Sequence, residues 1–167
     1  SLLRQYDIAK LGLDKAKVNE QLTRQNIILD AKNAYYQLLK TQKLYDVAQQ
    51  TVLQISAQEE VANNFYQVGM TPLNDLLQAQ VELANAKQNL IVAKNNMDNA
   101  KSNFNTLLRR PLDTPVVLED VLDYTHFEET LEYCISEAEK NRLEIKIADL
   151  DIDISQKEYQ LAKKDYY

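Results

Sequence analysis

The chain has 167 residues, of which only two are glycine and three are proline, and its formal net charge at pH 7 is −6. So few turn-forming residues favour long helices, and the negative charge argues against a nucleic-acid partner. No apolar run approaches the ~18 residues that a membrane-spanning helix needs. The first residues already follow a helical pattern and do not resemble a signal peptide, so we expect the chain to be a piece of a longer protein.

The first predicted element is a helix from about residue 2 to residue 67. Between Ile27 and Tyr66 an apolar residue returns at every third or fourth position, and only Thr41 and Glu59 interrupt this stripe. A stripe that lasts about five heptads is typical of a coiled-coil seam. We therefore expect residues 28–66 to pack along another long helix.

The next segment, "FYQVGMTPLNDLLQAQ" (65–80), predicts the tip of an antiparallel helical hairpin at residues 67–72. Gly69 stands where a helix end needs a left-handed residue. Thr71 is placed to cap the following helix, and Pro72 suits its first turn. Asp75 then lies near the positive end of that helix, where a carboxylate is favourable.

The second predicted helix runs from about residue 73 to residue 109. Along its seam an apolar residue returns at every third or fourth position without interruption, and large and small residues nearly alternate. Alanine at every second seam position lets a neighbouring backbone come close, so we expect the first helix to fold back against this one. The seam residues are Leu76, Ala79, Leu83, Ala86, Leu90 and Ala93, followed by Met97, Ala100, Phe104 and Leu107.

Residues 110–140 are predicted to form a connector between the hairpin and a further helix. Pro111 ends the second helix and Pro115 keeps the chain extended, so residues 116–124 predict a short strand or an extended segment. Thr125 is expected to open a short helix that runs to about residue 140, with Glu128 completing a capping box.

Residues 141–167 predict a final helix with two apolar stripes, which are offset by two residues and so lie about 200° apart around the helix. Opposed stripes imply neighbours on both sides, as in a single-layer wall of helices, and we expect one neighbour to be residues 2–27. The sequence thus predicts a mainly α fold with a long hairpin (1–109), a connector (110–140) and a rising helix (141–167). One stripe consists of Leu143, Ile147, Leu150, Ile154 and Leu161, and the other of Ile145, Ala148, Ile152, Tyr159, Ala162 and Tyr166.

The sequence offers no recognisable catalytic or metal-binding pattern. His126 is the only histidine and Cys134 the only cysteine, so neither a His/Cys metal-ligand spacing nor an internal disulfide is available. The carboxylates of "DLDID" (149–153) alternate with apolar residues and do not converge. The two glycines are too few for a phosphate-binding loop. We therefore expect no enzyme activity, no metal and no cofactor.

Three segments of the chain resemble the TolC-like outer-membrane efflux channels. The segment "AKNAYYQLL" (31–39) is similar to the descending helix of that family, and "NRLEIKIADLDIDISQKEYQLAKKDYY" (141–167) is similar to the opening of its second repeat. The hairpin carries the pattern that the family places around its tip. The matching residues are Tyr66, Val68, Gly69, Asp75, Leu76, Leu77, Ala79 and Gln80.

The resemblance implies an architecture and a role. Members of this family are homotrimers with two repeats per subunit, and a long periplasmic α-barrel continues from a part that lies in the outer membrane of Gram-negative bacteria. The chain would supply part of the wall of that α-barrel, with the membrane-embedded segments before Ser1 and after Tyr167. Such channels are the passive duct of a tripartite system that exports small molecules or proteins, together with a periplasmic adaptor and an inner-membrane pump.

The resemblance also implies roles for residues at the tip. Val68, Gly69, Met70 and Thr71 would meet the helical hairpin of the periplasmic adaptor, tip to tip. Asp75 matches a position where the family places carboxylates near the constricted end of the pore.

Two other classes of protein also carry long helical hairpins. A periplasmic adaptor usually follows its hairpin with domains rich in glycine and β-branched strands, whereas residues 110–167 return to helix. A cytoplasmic coiled-coil scaffold stays open as a third reading, although the two-stripe final helix argues against a simple two-stranded rod.

Overall fold

The computed structural model describes residues 2–120, 124 and 126–165, and most of them are helical. The helices are α1 (Leu2–Gln67), α2 (Leu73–Leu107), α3 (Leu131–Asn141) and α4 (Leu143–Asp165). These described residues include no strand, and none of their helices is long and apolar enough to cross a membrane. The prediction of a mainly α fold built on a long helical hairpin is confirmed.

The chain divides into two compact units, and α1 contributes to both. Residues 30–121 form one unit, which we call the hairpin unit. Residues 1–29 and 122–167 form the other, which we call the terminal unit. The hairpin unit contains α2, whereas the terminal unit contains α3 and α4.

In the hairpin unit, α1 and α2 run antiparallel and pack through their apolar seams. Leu38, Ala100 and Phe104 form a buried cluster, against which Ala34 and Met97 pack. Full burial of a leucine or phenylalanine side chain contributes about 1.5–3 kcal/mol, so this seam is the main stabilising contact between the two helices. Nearer the tip, Leu76 and Ala86 are buried, and Ala79, Leu83, Leu90 and Ala93 are half-buried.

The second helix ends in a Schellman motif that has arginine in the left-handed position. Arg109 has φ 54°, and its N–H donates to the Thr106 carbonyl at 3.0 Å. The Arg110 N–H donates to the Asn105 carbonyl at 2.8 Å. Glycine is usual at such a position because a Cβ costs roughly 1–2 kcal/mol there. Pro111 follows and cannot continue the helix, so the chain leaves α2 here.

Residues 110–120, which we call the strap, run back along one side of the hairpin. Val116 and Leu118 pack against the buried cluster of the seam, whereas Val117 between them is 96% exposed. Burial of alternate residues is typical of an extended segment. The strap is therefore extended without being part of a sheet; residues 121–123, which the same prediction covers, lie outside the described residues.

Two neutral side chains of the hairpin hold the strap in place. The fully buried Asn105 carboxamide donates from Nδ2 to the carbonyls of Leu112 (3.0 Å) and Thr114 (2.9 Å). The Tyr35 hydroxyl donates to the Glu119 carbonyl at 3.0 Å and accepts from the Glu119 N–H at 2.9 Å. Each end of the strap is thus bonded through its backbone, independently of its side chains.

An ion pair lies at the end of the strap. The Lys43 ammonium donates to the Asp120 carboxylate, and this partner raises the pKa of Lys43 above its ordinary value. Both side chains are about half exposed, so solvent screening leaves the pair only a small contribution to stability.

In the terminal unit, α4 packs antiparallel along the first part of α1. The Lys157 ammonium pairs with the Asp7 carboxylate at 3.0 Å, and Lys15 pairs with Asp151. Lys157 interrupts the first apolar stripe of α4 in the sequence, and its ion pair explains how a charged residue is accommodated there. Leu143 is buried and the other apolar residues of this stripe are half-buried. The contact agrees with the predicted pairing of the last helix with residues 2–27.

The short helix α3 begins later than the sequence predicts. Residues 126–130 are not helical, and the N-cap is Thr130, whose Oγ1 accepts from the Tyr133 N–H at 3.2 Å. The prediction of a helix opening at Thr125 with a Glu128 capping box is therefore wrong, although Thr125 itself lies outside the described residues. Both threonines offer the same capping group, and the apolar three-four spacing that supports a helix starts only after the second.

Replacing Ala86 by leucine should destabilise the hairpin by about 1–3 kcal/mol, because the larger side chain would enter a packed seam. Ala86 is 5% exposed, whereas Ala84 on the same helix is exposed. Ala84→Leu is the matched control and should change the stability by no more than about 0.5 kcal/mol. Thermal unfolding followed by circular dichroism compares the two variants, and equal melting temperatures would contradict close packing at Ala86.

Candidate docking tip and constriction residue

The turn between α1 and α2 is closed by backbone hydrogen bonds around Gly69. Gly69 has φ 73°, and its N–H donates to the Tyr66 carbonyl at 2.9 Å. The Met70 N–H donates to the Phe65 carbonyl at 2.9 Å, which completes a Schellman motif. The left-handed conformation predicted for Gly69 is therefore observed, and it reverses the chain within a few residues.

The start of α2 differs from the predicted capping arrangement. The N-cap is Pro72 (φ −72°, ψ 156°), and no side chain caps the helix there. Thr71 lies one residue too early to cap, and its Oγ1 donates instead to Asp75 Oδ2 at 2.8 Å. The Asp75 N–H donates to the Pro72 carbonyl at 3.2 Å. The expected threonine cap is replaced by a threonine–carboxylate bond that joins the turn to the first helical turn.

The tip presents apolar side chains to solvent. Val68 is 68% exposed and Met70 73%, and Phe65 and Leu73 are each about half exposed. Scattered exposed apolar residues are common on protein surfaces, but a contiguous apolar group is typical of a binding surface. The tight turn brings these four residues together at one end of the hairpin. Thr71 and Gly69 lie within the same turn.

Asp75 is exposed in the first turn of α2. Thr71 bonds one of its carboxylate oxygens, and the second oxygen has no hydrogen bond to the described residues. A carboxylate in the first turn is stabilised by the positive end of the helix. The side chain is thus held in position by its own hairpin while one oxygen faces solvent.

Further carboxylates lie near the tip end of the hairpin, and two of them accept hydrogen bonds from glutamine side chains. Glu59 occupies a half-buried seam position and accepts a long hydrogen bond from Gln80 at 3.4 Å. Glu82 accepts from Gln78 at 3.5 Å. Within the described part of the chain, no group of three or more His, Cys, Asp or Glu residues comes close enough to hold a metal ion.

Sequence reasoning did not single out the residues that secure the strap, namely Asn105, Tyr35 and Lys43. Asn105 directly follows the seam residue Phe104 in a helix that is already rich in asparagine, so its sequence context gave no reason to set it apart. The aromatic pair at residues 35–36 stands out in the sequence only within the segment that resembles the efflux channels. The bond from Tyr35 to Glu119 joins residues 84 positions apart, which no local pattern reveals.

Comparison with known protein families bears directly on this hairpin. The family model described as outer membrane efflux protein matches residues 1–108, which is more than half of the chain. The chain belongs to the outer membrane efflux protein family. The matched region contains the whole of α1, the tip and α2. No curated protein matches the chain.

Membership of this family supplies a general role. Outer membrane efflux proteins are transport channels of the outer membrane and not enzymes. The expectation that the chain is related to the TolC-like channels is therefore confirmed. The match to an efflux-channel family favours this reading over the adaptor and scaffold alternatives.

Substituting alanine at the two glycines should shift stability in opposite directions. A Cβ would meet nothing within 4 Å at either Gly69 or Gly12, so only backbone conformation decides the outcome. Gly69→Ala should cost roughly 1–2 kcal/mol because φ is positive. Gly12→Ala lies inside α1 and should gain about 1 kcal/mol.

Urea unfolding of the two glycine variants and the parent chain measures this difference. A Gly69→Ala variant as stable as the parent would show that the tip does not need the left-handed conformation. The Gly12→Ala variant verifies that the assay resolves a change of about 1 kcal/mol.

Proposed function

We propose that the chain forms the periplasmic part of one subunit of a trimeric outer-membrane channel. The channel is the passive duct of a tripartite system in Gram-negative bacteria that exports small molecules or proteins. The family match over residues 1–108 carries this proposal, because the matched region is the hairpin with its exposed tip. Catalysis, a metal and a cofactor have no part in it.

Exposed apolar side chains on the flanks of α2 and α4 support assembly with further helices. They lie along the helices and away from the buried contacts of each unit. This arrangement supports neighbours on both sides of the helices. In the proposed trimer, copies of the chain and the remainder of each subunit cover these flanks. The exposed flank residues are Ile145, Ile152 and Tyr159 on α4, and Leu77, Val81 and Ile91 on α2.

The tip is the proposed docking site for a periplasmic adaptor. Val68 and Met70 present most of their side-chain area to solvent, and Gly69 and Thr71 shape the turn between them and α2. The partner that fits this surface is the apolar tip of another helical hairpin. The adaptor in turn connects the channel to an inner-membrane pump, which selects the cargo.

Asp75 is the proposed constriction residue. Its first oxygen is bonded to Thr71, and its second oxygen, which has no hydrogen bond to the described residues, can accept from a cationic side chain of a neighbouring helix in the trimer. A ring of such pairs would hold helix tips together at the narrow end of the duct. Ion pairs of this kind are sensitive to charge removal, which makes the role testable.

A cysteine at Met70 tests the docking surface. The full-length subunit carrying Cys134→Ser and Met70→Cys should crosslink to a periplasmic adaptor in bacterial envelopes, and the adduct should map to the tip of the adaptor hairpin. Val117→Cys is the control, because Val117 is equally apolar and 96% exposed but belongs to the strap. Recovery of the adaptor with Val117→Cys and not with Met70→Cys would refute tip docking.

Replacing Asp75 by alanine tests the constriction. Asp75→Ala should raise the conductance of the closed full-length channel in planar bilayers, because one carboxylate per subunit is lost from the narrow end. Asp98→Ala, which removes another exposed carboxylate of α2, should leave the conductance unchanged. Identical conductance of the parent and Asp75→Ala would exclude Asp75 from the closure.

A further inference from the structure

In the terminal unit, α1 and α4 each carry an exposed apolar stripe on the side that faces away from their mutual contact. On α1, Leu13 lies two residues after the half-buried Leu11, and on α4, Ile152 lies two residues after a half-buried leucine, Leu150. Two residues turn a helix by about 200°, so Leu13 and Ile152 point outward. We call these outer stripes the α1 flank and the α4 flank. The α1 flank consists of Leu2, Tyr6, Ala9, Leu13 and Ala16, and the α4 flank of Ile145, Ala148, Ile152, Ser155, Tyr159 and Ala162.

Both flanks have the composition of a surface that packs against a helix. Their large residues recur at every seventh position, and the residue three positions after each of these is alanine or serine. Small residues between large ones let a neighbouring backbone come close, as in a coiled-coil seam. Tyr6, Leu13, Ile152 and Tyr159 are each more than half exposed. A continuous apolar row of this kind is typical of a binding surface.

Two ion pairs determine which positions of α1 and α4 lie at the same height. Asp7 pairs with Lys157, and Lys15 pairs with Asp151. The two helices are antiparallel, so a step forward along α1 corresponds to a step backward along α4. The register between these ion pairs therefore assigns a height on α4 to each residue in the first part of α1.

The two flanks match each other when a second copy of the chain stands beside the first. Copies related by rotation about an axis parallel to the helices are not displaced along that axis. The α4 flank of one copy therefore meets the α1 flank of the next in the register that the ion pairs set. In this register Leu13 lies at the height of Ile152, and Tyr6 lies at the height of Tyr159. The contact thus covers the most exposed residues of both flanks in pairs.

Charged residues beside the two stripes are complementary in this register. Lys10 and Lys17 lie along one edge of the α1 flank, and Asp149 and Asp153 lie along the edge of the α4 flank that faces it. Both carboxylates are exposed, and their heights fall between those of the two ammonium groups. Pairs of opposite charge beside a helix seam favour one partner and one orientation over others.

The charges further along this edge are also compatible with the contact. Glu20, which interrupts the α1 stripe, lies at the height of Lys146. Arg24 and Arg142 come to the same height at the end of the contact, and each has an acidic partner within its own copy. Arg24 pairs with Glu20 at 3.7 Å. Arg142 pairs with Glu144 at 3.1 Å.

We infer that the α1 flank binds the α4 flank of a second copy of this chain. This inference rests on the proposed function, from which it takes the arrangement of copies around one axis. Two different surfaces meet in such a contact, so a bound copy still has one unoccupied flank. The contact is therefore heterologous, and it repeats from copy to copy until a ring closes.

Two single substitutions, each of which blocks one flank, test this contact in the 167-residue chain. Leu13→Glu blocks the α1 flank, and Ile152→Glu blocks the α4 flank. Both residues are more than half exposed within one copy, so the folded chain should tolerate either change, and circular dichroism verifies this. Val117→Glu is the control, because Val117 is an exposed apolar residue of the strap and lies on neither flank.

Sedimentation velocity compares the variants singly and as a mixture. The parent and Val117→Glu should self-associate, and Leu13→Glu and Ile152→Glu should each self-associate at least about tenfold more weakly, which corresponds to about 1.4 kcal/mol. An equimolar mixture of the two flank variants should form dimers and nothing larger, because each dimer joins the intact α1 flank of one variant to the intact α4 flank of the other.

Two results would overturn the inference. One is a mixture that associates no better than either variant alone, which would show that the α1 flank and the α4 flank do not bind each other. The other is a parent chain that remains monomeric, which would show that a second copy does not cover these flanks. Neither result affects the proposed function, which the crosslinking at Met70 in the full-length subunit tests separately.

Discussion

The close approach of α1 and α2 along one apolar seam is the contact on which the hairpin unit is built. Two helices touch along a line, so each can bury only one stripe of side chains, and no central core forms between them. Small residues such as Ala86 and Ala100 let the backbones come together, and large residues such as Leu38, Leu76 and Phe104 fill the space that is left. The two helices alone therefore bury few side chains, and any further element that covers the surface of the hairpin adds to its stability.

Among the described residues of the hairpin unit, the strap is the element that covers part of this surface. Its two inward residues extend the apolar cluster, but Asn105 and Tyr35 determine its path, because they bond backbone groups and not side chains. Asn105 leaves its Oδ1 buried without a hydrogen-bond partner among the described residues, which costs about 1–3 kcal/mol. The two bonds from Nδ2 offset that cost. The Tyr35 ring lies 6.1 Å from that of Phe104, between ring centroids, so the residue that holds the strap also packs in the seam.

Features that depend on local spacing could be predicted from the sequence, and features that depend on distant partners could not. The seam of α2 and the left-handed Gly69 follow from residue type and spacing within a few turns of helix. The caps of α2 and α3 were harder to predict, because Thr71 stands beside Pro72 and Thr130 follows Thr125, and each pair offers two candidates for one cap. At the tip Pro72 takes the cap position, which leaves the Thr71 hydroxyl for Asp75. The bonds of Asn105 and Tyr35 to the strap depend on how the chain returns after α2, and only the folded chain shows that.

In the proposed channel, the apolar residues that serve assembly and those that serve docking lie at different places on the chain. Apolar residues on the flanks of α2 and α4 lie along the helices, where neighbouring helices can cover them, and each neighbour that binds the folded form adds to its stability by mass action. The apolar residues of the tip lie at the end of the hairpin, beyond the reach of a partner that packs alongside. Because the Gly69 turn is closed by its own backbone hydrogen bonds, the tip needs no neighbour to keep its shape. In the proposed channel the tip therefore stays exposed after the wall has formed, and it is preorganised for a partner that approaches along the hairpin axis.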